Sequence, residues 1–235
     1  MRGSEDPERV SAAERSDRGV RDWINWGWHT DHATVAIVRE IAISVVIVLA
    51  IAGLLFSMSG VWPPLVAVES DSMEPNIMTG DLVFIVEPDR FAAEHAINGT
   101  GIVPGDRAAE NGSTSFGDAG DVIIFAPDGN FERTPIIHRA KFYVEEGEDW
   151  TERANPTRMG GMSNCDAISN CPAPHDGFIT HGDNTATYDQ IGGNSAPVKA
   201  DWVIARAELR VPFLGRIRLF VDDVVAMSGV GLLIG

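Results

Sequence analysis

A stretch of 22 residues without a charge, from Ile41 to Trp62, most constrains what this chain can fold into. As an α-helix it would be about 33 Å long at ~1.5 Å per residue, close to the ~30 Å hydrocarbon core of a bilayer. A cleaved signal peptide has a shorter apolar region that starts nearer the N-terminus. The stretch therefore predicts a transmembrane helix within residues 35–64, ended by Pro63 and Pro64.

Basic residues around this helix indicate its orientation. Arg18, Arg21 and Arg39 precede the uncharged stretch, and no Lys or Arg follows it until Arg90. Positive charge collects on the cytoplasmic side of membrane helices. We therefore expect residues 1–34 to be a cytoplasmic polar tail and the chain after the helix to lie outside the cell membrane.

The charge balance restricts the partners. The chain has 18 Lys and Arg against 34 Asp and Glu, a net charge of −16, and residues 65–235 hold 12 of these basic and 26 of these acidic residues. Such a surface repels phosphate backbones, so we expect no nucleic-acid partner. An excess of carboxylates with only two lysines, Lys141 and Lys199, predicts an acidic surface of the halophilic kind, suited to concentrated salt.

The remaining chain predicts a mainly β domain over residues 65–210. Short apolar, β-branched runs alternate there with Gly, Pro, Asp and Asn, which is typical of strands and turns. The predicted strands are Leu65–Val68, Leu82–Val86, Val122–Phe125, Ile136–Val144, Gly177–Thr180, Trp202–Leu209 and Ile217–Val221. Residues 211–235 form an apolar end that is too short to span a bilayer, and we expect it to pack on the domain, lie in the membrane interface or contact a partner.

Two polar stretches, residues 89–120 and 145–176, are predicted to be surface insertions. The first contains two N-glycosylation triplets, at Asn98 and Asn111, which permit modification without establishing it. The second contains Cys165 and Cys171, the only cysteines of the chain. Outside the cytoplasm such a pair predicts a disulfide, and we expect the bond to be dispensable because it lies away from the predicted strands.

A candidate nucleophile, Ser72, lies in the run Glu69-Ser70-Asp71-Ser72-Met73-Glu74-Pro75 just after the first predicted strand. A serine hydroxyl needs a base and an oxyanion site to act as a nucleophile. The backbone N–H of Ser72 and the hydroxyl of Ser70 could supply the oxyanion site. The alternative is that the run is only a polar turn.

The base and the acid would come from two later runs. His138 lies on the predicted strand Ile136–Val144, and Asp183 and Asp189 lie in a turn-like run. With Ser72 these residues fit a Ser-His-Asp arrangement. Lys141 is the alternative base. Positions 138 and 141 face opposite sides of a regular strand, so only one can point at Ser72, although a bulge between them would weaken this argument.

These runs together resemble the successive motifs of signal peptidase I, of the archaeal and endoplasmic-reticulum type, over roughly residues 40–210. The matching pieces are Ser70-Asp71-Ser72-Met73-Glu74-Pro75, Gly80-Asp81, His138-Arg139 and Gly182-Asp183-Asn184 with Asp189, in the same order and after a membrane anchor. In the bacterial type a lysine base stands at the position of His138. A departure is His181, where eukaryotic relatives carry a lysine.

The resemblance implies a signal peptidase-like β-rich catalytic domain and a role for each matching residue. Ser72 would be the nucleophile, His138 the base and Asp189 the acid that orients it. Asp183 would be a second important acid. The oxyanion and substrate-binding segment would comprise Ser70, Ser72, Met73 and Pro75. No metal or organic cofactor is expected.

The implied function is that of a serine endopeptidase that removes signal peptides from exported preproteins after small residues. Its partners would be signal peptides, the lipid bilayer and the secretion translocon. Ser72 lies eight positions after Pro64, a reach of at most about 26 Å at ~3.3 Å per residue, which keeps Ser72 near the membrane. The substrate would bind extended, beside Leu65–Val68 or Ile136–His138.

Two alternatives remain open from the sequence. The external domain could be a non-catalytic binding module tethered to the membrane, or the enzyme could be a membrane serine protease of another specificity.

Overall fold

The structure, a computed structural model, describes residues 33–216 together with Gly19 and Phe220. Backbone contacts divide the chain into two compact units, Met1–Leu55 and Phe56–Gly235. The N-terminal unit contributes most of a long helix, and the second unit contains the sheet and the candidate site.

Helix α1 spans Ala33–Ser59 and is long and apolar enough to cross a bilayer. It starts and ends earlier than the predicted segment, which ran to Pro64. The end is set by Gly60, whose φ of +79° is the left-handed conformation that commonly closes a helix, and whose N–H donates to the carbonyl of Phe56. The helix therefore stops before Pro63 can interrupt it.

The second unit is built on a six-stranded antiparallel sheet with the strand order β1-β2-β6-β3-β4-β5. The strands are β1 Leu65–Ala67, β2 Leu82–Val86, β3 Val122–Phe125, β4 Ile136–Val144, β5 Gly177–His181 and β6 Val203–Val211. This architecture agrees with a mainly β domain that follows one apolar helix.

Three strands, β2, β3 and β4, have the predicted bounds. Strand β6 starts one residue late because Ala200–Trp202 forms a 3₁₀ turn, and it continues to Val211 because that residue pairs with Leu82 of β2. The predicted strand Ile217–Val221 lies outside the described residues except for Phe220, as does most of the apolar end at residues 211–235.

One face of the sheet carries the main core beneath the candidate nucleophile. Val68, Val83, Ile85, Ile124 and Ala205 meet there with less than a tenth of each side chain exposed. Burial of a Val or Ile side chain contributes about 1.5–3 kcal/mol, so this cluster anchors β1, β2, β3 and β6 to each other. Val66 of β1 and Ile137 of β4 pack against the same cluster, which holds the two strands on this face.

The first insertion, residues 89–120, contains a short helix, α2, at Gly105–Asn111. Asn98 and Asn111 of the glycosylation triplets are both exposed. The end of this insertion approaches β4, where the buried guanidinium of Arg139 donates hydrogen bonds to the carbonyls of Ser115 and Gly120. The insertion is therefore tied to the strand that carries His138.

The second insertion, residues 145–176, has many exposed residues, as its polarity predicted, but it also has a buried core. Its few apolar side chains gather into a buried cluster with residues of β4 and β5, and Trp150 at the centre is fully buried. Three 3₁₀ turns and the Cys165–Cys171 disulfide order this segment. The apolar residues have no regular spacing, which is why strand and helix patterns did not reveal this core.

Candidate active site

The loop that carries Ser72 is fixed from two sides. Met73 is fully buried in the core below it. From the other side, Asn184 donates hydrogen bonds from its backbone N–H to the carbonyl of Ser72 (2.8 Å) and from its side-chain amide to the carbonyl of Asp71 (3.2 Å). The backbone at Ser72 is thus held firmly, while its side chain remains half-exposed.

The hydroxyls of Ser72 and Ser70 lie 3.1 Å apart and share a hydrogen bond. Within residues 33–216 no acceptor is described for the backbone N–H of Ser72. A hydroxyl and an amide hydrogen are therefore available beside the Ser72 side chain, as an oxyanion site requires.

His138 and Asp189 form a buried pair. His138 lies in β4 opposite Ile123 and is 5% exposed, and its Nδ1 lies 2.7 Å from Oδ2 of Asp189. A carboxylate only accepts hydrogen bonds, so Nδ1 carries the hydrogen and Nε2 of the neutral ring is an acceptor. This is the tautomer that a general base needs.

Asp189 begins a short helix, α3, at Asp189–Gly192, and its side chain is fully enclosed by donors. Thr180 donates to Oδ2 at 2.7 Å, and the Asn194 amide donates to Oδ1 at 2.9 Å. Burial raises the pKa of Asp189, but the hydrogen bond and charge of His138 and the bonds from Asn194 and Thr180 outweigh it. The pKa therefore lies below its ordinary value and the acid is a carboxylate at neutral pH.

Gly182 brings the base and the nucleophile loop together. A Cβ added at this position would lie 2.7 Å from Nε2 of His138 and 2.6 Å from the carbonyl oxygen of Ser72. Both distances are shorter than real Cβ contacts allow. The close approach of the imidazole to the Ser72 backbone therefore depends on a glycine at position 182.

Ser72 and His138 line the same groove, which has a volume of about 530 Å³. Its walls are mainly apolar and come from the end of β1 and from the start of β4, with Ile124 of β3 between them. In the sheet, β1 is the first strand, and β5 pairs with β4 only from Arg139 onward. The groove thus runs between two strand segments, residues 66–68 and 136–138, that border the candidate nucleophile.

The two candidate acids have different surroundings. Asp183 accepts two hydrogen bonds from the buried guanidinium of Arg139, at 2.8 and 2.6 Å, and a third from the Asn76 amide at 2.8 Å. No hydrogen bond between Asp183 and His138 is described within residues 33–216. Asp183 therefore braces the loops around the site, whereas Asp189 contacts the base.

Lys141 points away from the groove. A register shift between Ala140 and Phe142 interrupts β4, so strand alternation alone does not decide which way Lys141 points. The ammonium of Lys141 nevertheless lies 3.4 Å from the carboxylate of Asp118, and the residue is not among those that line the groove. The structure thus brings His138, and not Lys141, to Ser72.

His181 is buried apart from the groove. Its Nε2 lies 3.1 Å from the carbonyl of Thr185, and its ring packs against Tyr188. Burial, followed by the positive charges of Arg158 and Lys141, lowers the pKa of His181 to about 4. His181 is therefore neutral at physiological pH, and it does not compete with His138 for the role of base.

Two residues predicted to bind substrate occupy other positions. Met73 points into the core, and Pro75 is exposed after a cis peptide bond. Neither is among the described residues that line the groove. Met73 instead anchors the loop that carries Ser72 in the core.

Cys165 and Cys171 form the predicted disulfide. Together with Asp149 they are the one group of metal-type ligands found among the described residues. Because both sulfurs are bonded to each other, they do not offer thiolates to a metal ion.

No known protein-family model matches the chain, and no curated protein sequence matches it.

Several residues of the site were not predicted as such. Thr180, Asn194, Asn184 and Gly182 hold the acid, the nucleophile loop and the base in place. Asn184 and Gly182 were part of the matching run, but no role followed from their residue type. Thr180 and Asn194 gave no sequence signal, because a polar residue on a strand or in a turn usually has only local partners.

Proposed function

We propose that the protein is a membrane-anchored serine endopeptidase that removes N-terminal signal peptides from exported preproteins after small residues. The observation that carries this proposal is that Ser72 and His138 line one groove while the buried Asp189 binds the far nitrogen of the imidazole. A polar turn without function would not require this arrangement. The resemblance of the motifs to signal peptidase I supplies the reaction and the substrate class.

In this reaction Nε2 of His138 takes the proton of Ser72, and Oγ attacks the carbonyl carbon of the scissile peptide bond. Ser70 and the backbone N–H of Ser72 donate to the oxyanion that forms. His138 then gives its proton to the leaving amine, which leaves an acyl ester on Ser72. A water molecule, deprotonated by the same imidazole, hydrolyses the ester and restores the serine.

The first step requires the Ser72 hydroxyl to exchange its partner. Without substrate it bonds with Ser70, and a rotation about the Cα–Cβ bond moves it between staggered positions. Catalytic hydrogen bonds often form only when the substrate is bound. The exposed Ser70 hydroxyl is then free to turn towards the oxyanion.

The groove supports an extended peptide as substrate. A strand laid between residues 66–68 and 136–138 could use the backbone groups of either segment. Val66, Val68 and Ile137 are among the residues that line the groove, so its walls offer apolar contacts to such a peptide. The preference for small residues before the scissile bond comes from the resemblance to signal peptidase I.

The surroundings of the sheet support action at a membrane. Register places Leu65, Phe84 and Leu209 side by side on the face opposite the main core, and Leu209 is 60% exposed. Trp62, just after the apolar helix α1, is 67% exposed. Apolar and aromatic side chains of this kind suit the boundary between lipid and water.

The test is cleavage of a preprotein by membranes that contain the wild-type chain or Ser72→Ala. We expect the wild type to release a product whose new N-terminus follows a small residue at the end of the apolar signal region, and Ser72→Ala to release none. Ser169→Ala is the matched control, because Ser169 is exposed in the second insertion and should leave cleavage unchanged.

The other results separate the alternatives. Wild-type membranes that retain the preprotein without cutting it would indicate a binding module. A cut within the mature region would indicate a protease of another specificity. Equal cleavage by Ser72→Ala would exclude Ser72 as the nucleophile.

A further inference from the structure

We propose that the second insertion, residues 145–176, positions the catalytic acid, and that Asn170 is a positioning residue that acts through the backbone of Gln190. The inference rests on the proposed function, since it concerns the orientation of Asp189 towards His138. It assigns a role in the reaction to a segment without any residue in the groove.

The residues around Asp189 pack into the core of this insertion. Tyr188 precedes the acid and is 4% exposed, and Ile191 follows it at the edge of the same cluster. The ring of Tyr188 meets Trp150 edge-on, with ring centres 6.2 Å apart. Asp189 thus lies between two side chains that are both anchored in residues 145–176.

Hydrogen bonds join the same two segments. The Asn170 amide donates to the carbonyl of Gln190 at 3.0 Å, and the carbonyl of Asn170 accepts from the buried indole N–H of Trp150 at 2.9 Å. Arg158 also donates to the carbonyl of Thr185, and its own carbonyl accepts from the N–H of Tyr188. Helix α3 has only four residues, so these bonds supply support that so short a helix lacks.

A second set of bonds leads from Gln190 to the acid. The Gln190 side chain is buried, accepts from the N–H of Thr180 at 3.0 Å and donates to the Thr180 hydroxyl at 3.3 Å. That hydroxyl donates to Oδ2 of Asp189, the oxygen that also binds His138. A displaced Gln190 therefore disturbs the donors that aim the carboxylate.

The disulfide lies next to this contact. Cys171 follows Asn170 directly, and the bond to Cys165 closes the loop that presents the amide. The loop is part of the buried cluster. On this inference we expect the bond to affect cleavage, whereas the sequence led us to expect a dispensable bond. We expect its loss to loosen Asn170.

The first experiment compares Asn170→Asp with Asn164→Asp in the full-length, detergent-solubilised protein. A carboxylate has nearly the shape of the amide but cannot donate to the Gln190 carbonyl. Asn164 lies in the same insertion, is exposed and has no side-chain cap bond. Hydrogen exchange of peptides that cover residues 186–196 and the kinetics of preprotein cleavage are measured for both variants.

For Asn170→Asp we expect faster exchange over residues 186–196 and a kcat that is lower by about threefold to tenfold, the range of one lost hydrogen bond. KM should stay the same, because the insertion does not line the groove. Asn164→Asp should resemble the wild type in all three quantities. A general loss of stability would also change exchange in β2 and β3, which should remain protected.

Reduction of the wild type gives a test without a substitution. Because the chain has two cysteines only, a reductant breaks this bond alone, and the Cys165→Ser/Cys171→Ser variant is the control that the reductant should not affect. We expect reduction to produce the same local exchange and the same fall in kcat.

Unchanged exchange over residues 186–196 in both tests would overturn the inference, and so would faster exchange with an unchanged kcat. The exchange measurement does not depend on catalysis. Faster exchange in Asn170→Asp together with a wild type that cleaves no preprotein would therefore refute the proposed function while leaving the structural link in place.

Discussion

The two sides of the site are built differently. His138 and Asp189 are buried, and every oxygen of the acid has a donor at 2.7–2.9 Å. Ser72 is half-buried, and among the described residues its hydroxyl has one hydrogen-bond partner, the hydroxyl of exposed Ser70. The acid and the base must keep one orientation while the imidazole gains and loses a proton, and enclosure secures that orientation. The nucleophile must change partners, so its backbone is fixed while its side chain is free.

The largest effect should come from Asp189→Asn, which changes the buried pair of His138 and Asp189. An amide in this place can turn its NH₂ towards the imidazole, which forces the wrong tautomer on the ring. We expect kcat to fall by about 10⁴-fold with little change in KM. Preprotein cleavage kinetics measure this, and Asp166→Asn, at an exposed acid in the second insertion, should leave kcat unchanged. A loss below tenfold would mean that the imidazole is oriented by other groups.

Gly182→Ala should give the next largest effect, since it moves His138 away from the Ser72 loop without removing a reacting group. The new methyl would push against Nε2 of His138 and the Ser72 carbonyl. A displacement of about an ångström between base and nucleophile costs on the order of 10²-fold in kcat. Gly53→Ala, in helix α1 with open space around it, is the control for the same substitution. Full activity of Gly182→Ala would show that the close approach is unimportant.

Asp183→Asn should affect stability more than turnover. It removes the carboxylate that binds the fully buried guanidinium of Arg139 at 2.6 Å and leaves the more exposed carboxylate of Asp118, 3.8 Å away, as the remaining charge partner described. This costs on the order of 3 kcal/mol in the free energy of unfolding. Since Asp183 does not contact His138, kcat should fall by about tenfold at most, far less than in Asp189→Asn. Denaturant unfolding and cleavage kinetics of the two variants test this difference. A kcat as low as that of Asp189→Asn, in a protein of normal stability, would make Asp183 a direct participant.

The smallest effect concerns His181 and acid stability. Its pKa is about 4 in the folded chain and 6.5 in an ordinary environment, so between these values the unfolded chain binds a proton that the folded chain does not. Stability therefore falls as pH drops from 6.5 to 4 and is unaffected above 6.5. Asp189 and the cations of Arg158 and Lys141 act on the same ring, and all three remain when His181 itself is replaced.

His181→Gln keeps a donor for the Thr185 carbonyl but does not titrate. We expect the thermal midpoint of the variant to fall less than that of the wild type between pH 6.5 and 4.5, and the two to respond equally between pH 7 and 8. Equal acid sensitivity of both proteins would show that another group is responsible.

Much of this architecture could be predicted from residue patterns. Strands β2, β3 and β4 follow from β-branched runs between turn residues, and the apolar helix from the length of an uncharged segment. The second insertion could not be predicted, because its core joins Trp150, the disulfide and Tyr188 from distant positions without a period. The difference between Asp183 and Asp189 depends on which partner each meets, Arg139 or His138, and that is decided by the tertiary structure. The same holds for Met73, because its burial beneath the Ser72 loop depends on how the sheet packs.

The most direct test of the account is which basic side chain near Ser72 is needed for cleavage. Membranes that contain His138→Ala and Lys141→Ala are compared with the wild type in the preprotein assay at equal protein level. We expect no detectable product from His138→Ala and nearly wild-type cleavage by Lys141→Ala, since Lys141 faces Asp118. Near wild-type cleavage by His138→Ala with an inactive Lys141→Ala would contradict the Ser-His-Asp assignment and identify a Ser-Lys enzyme.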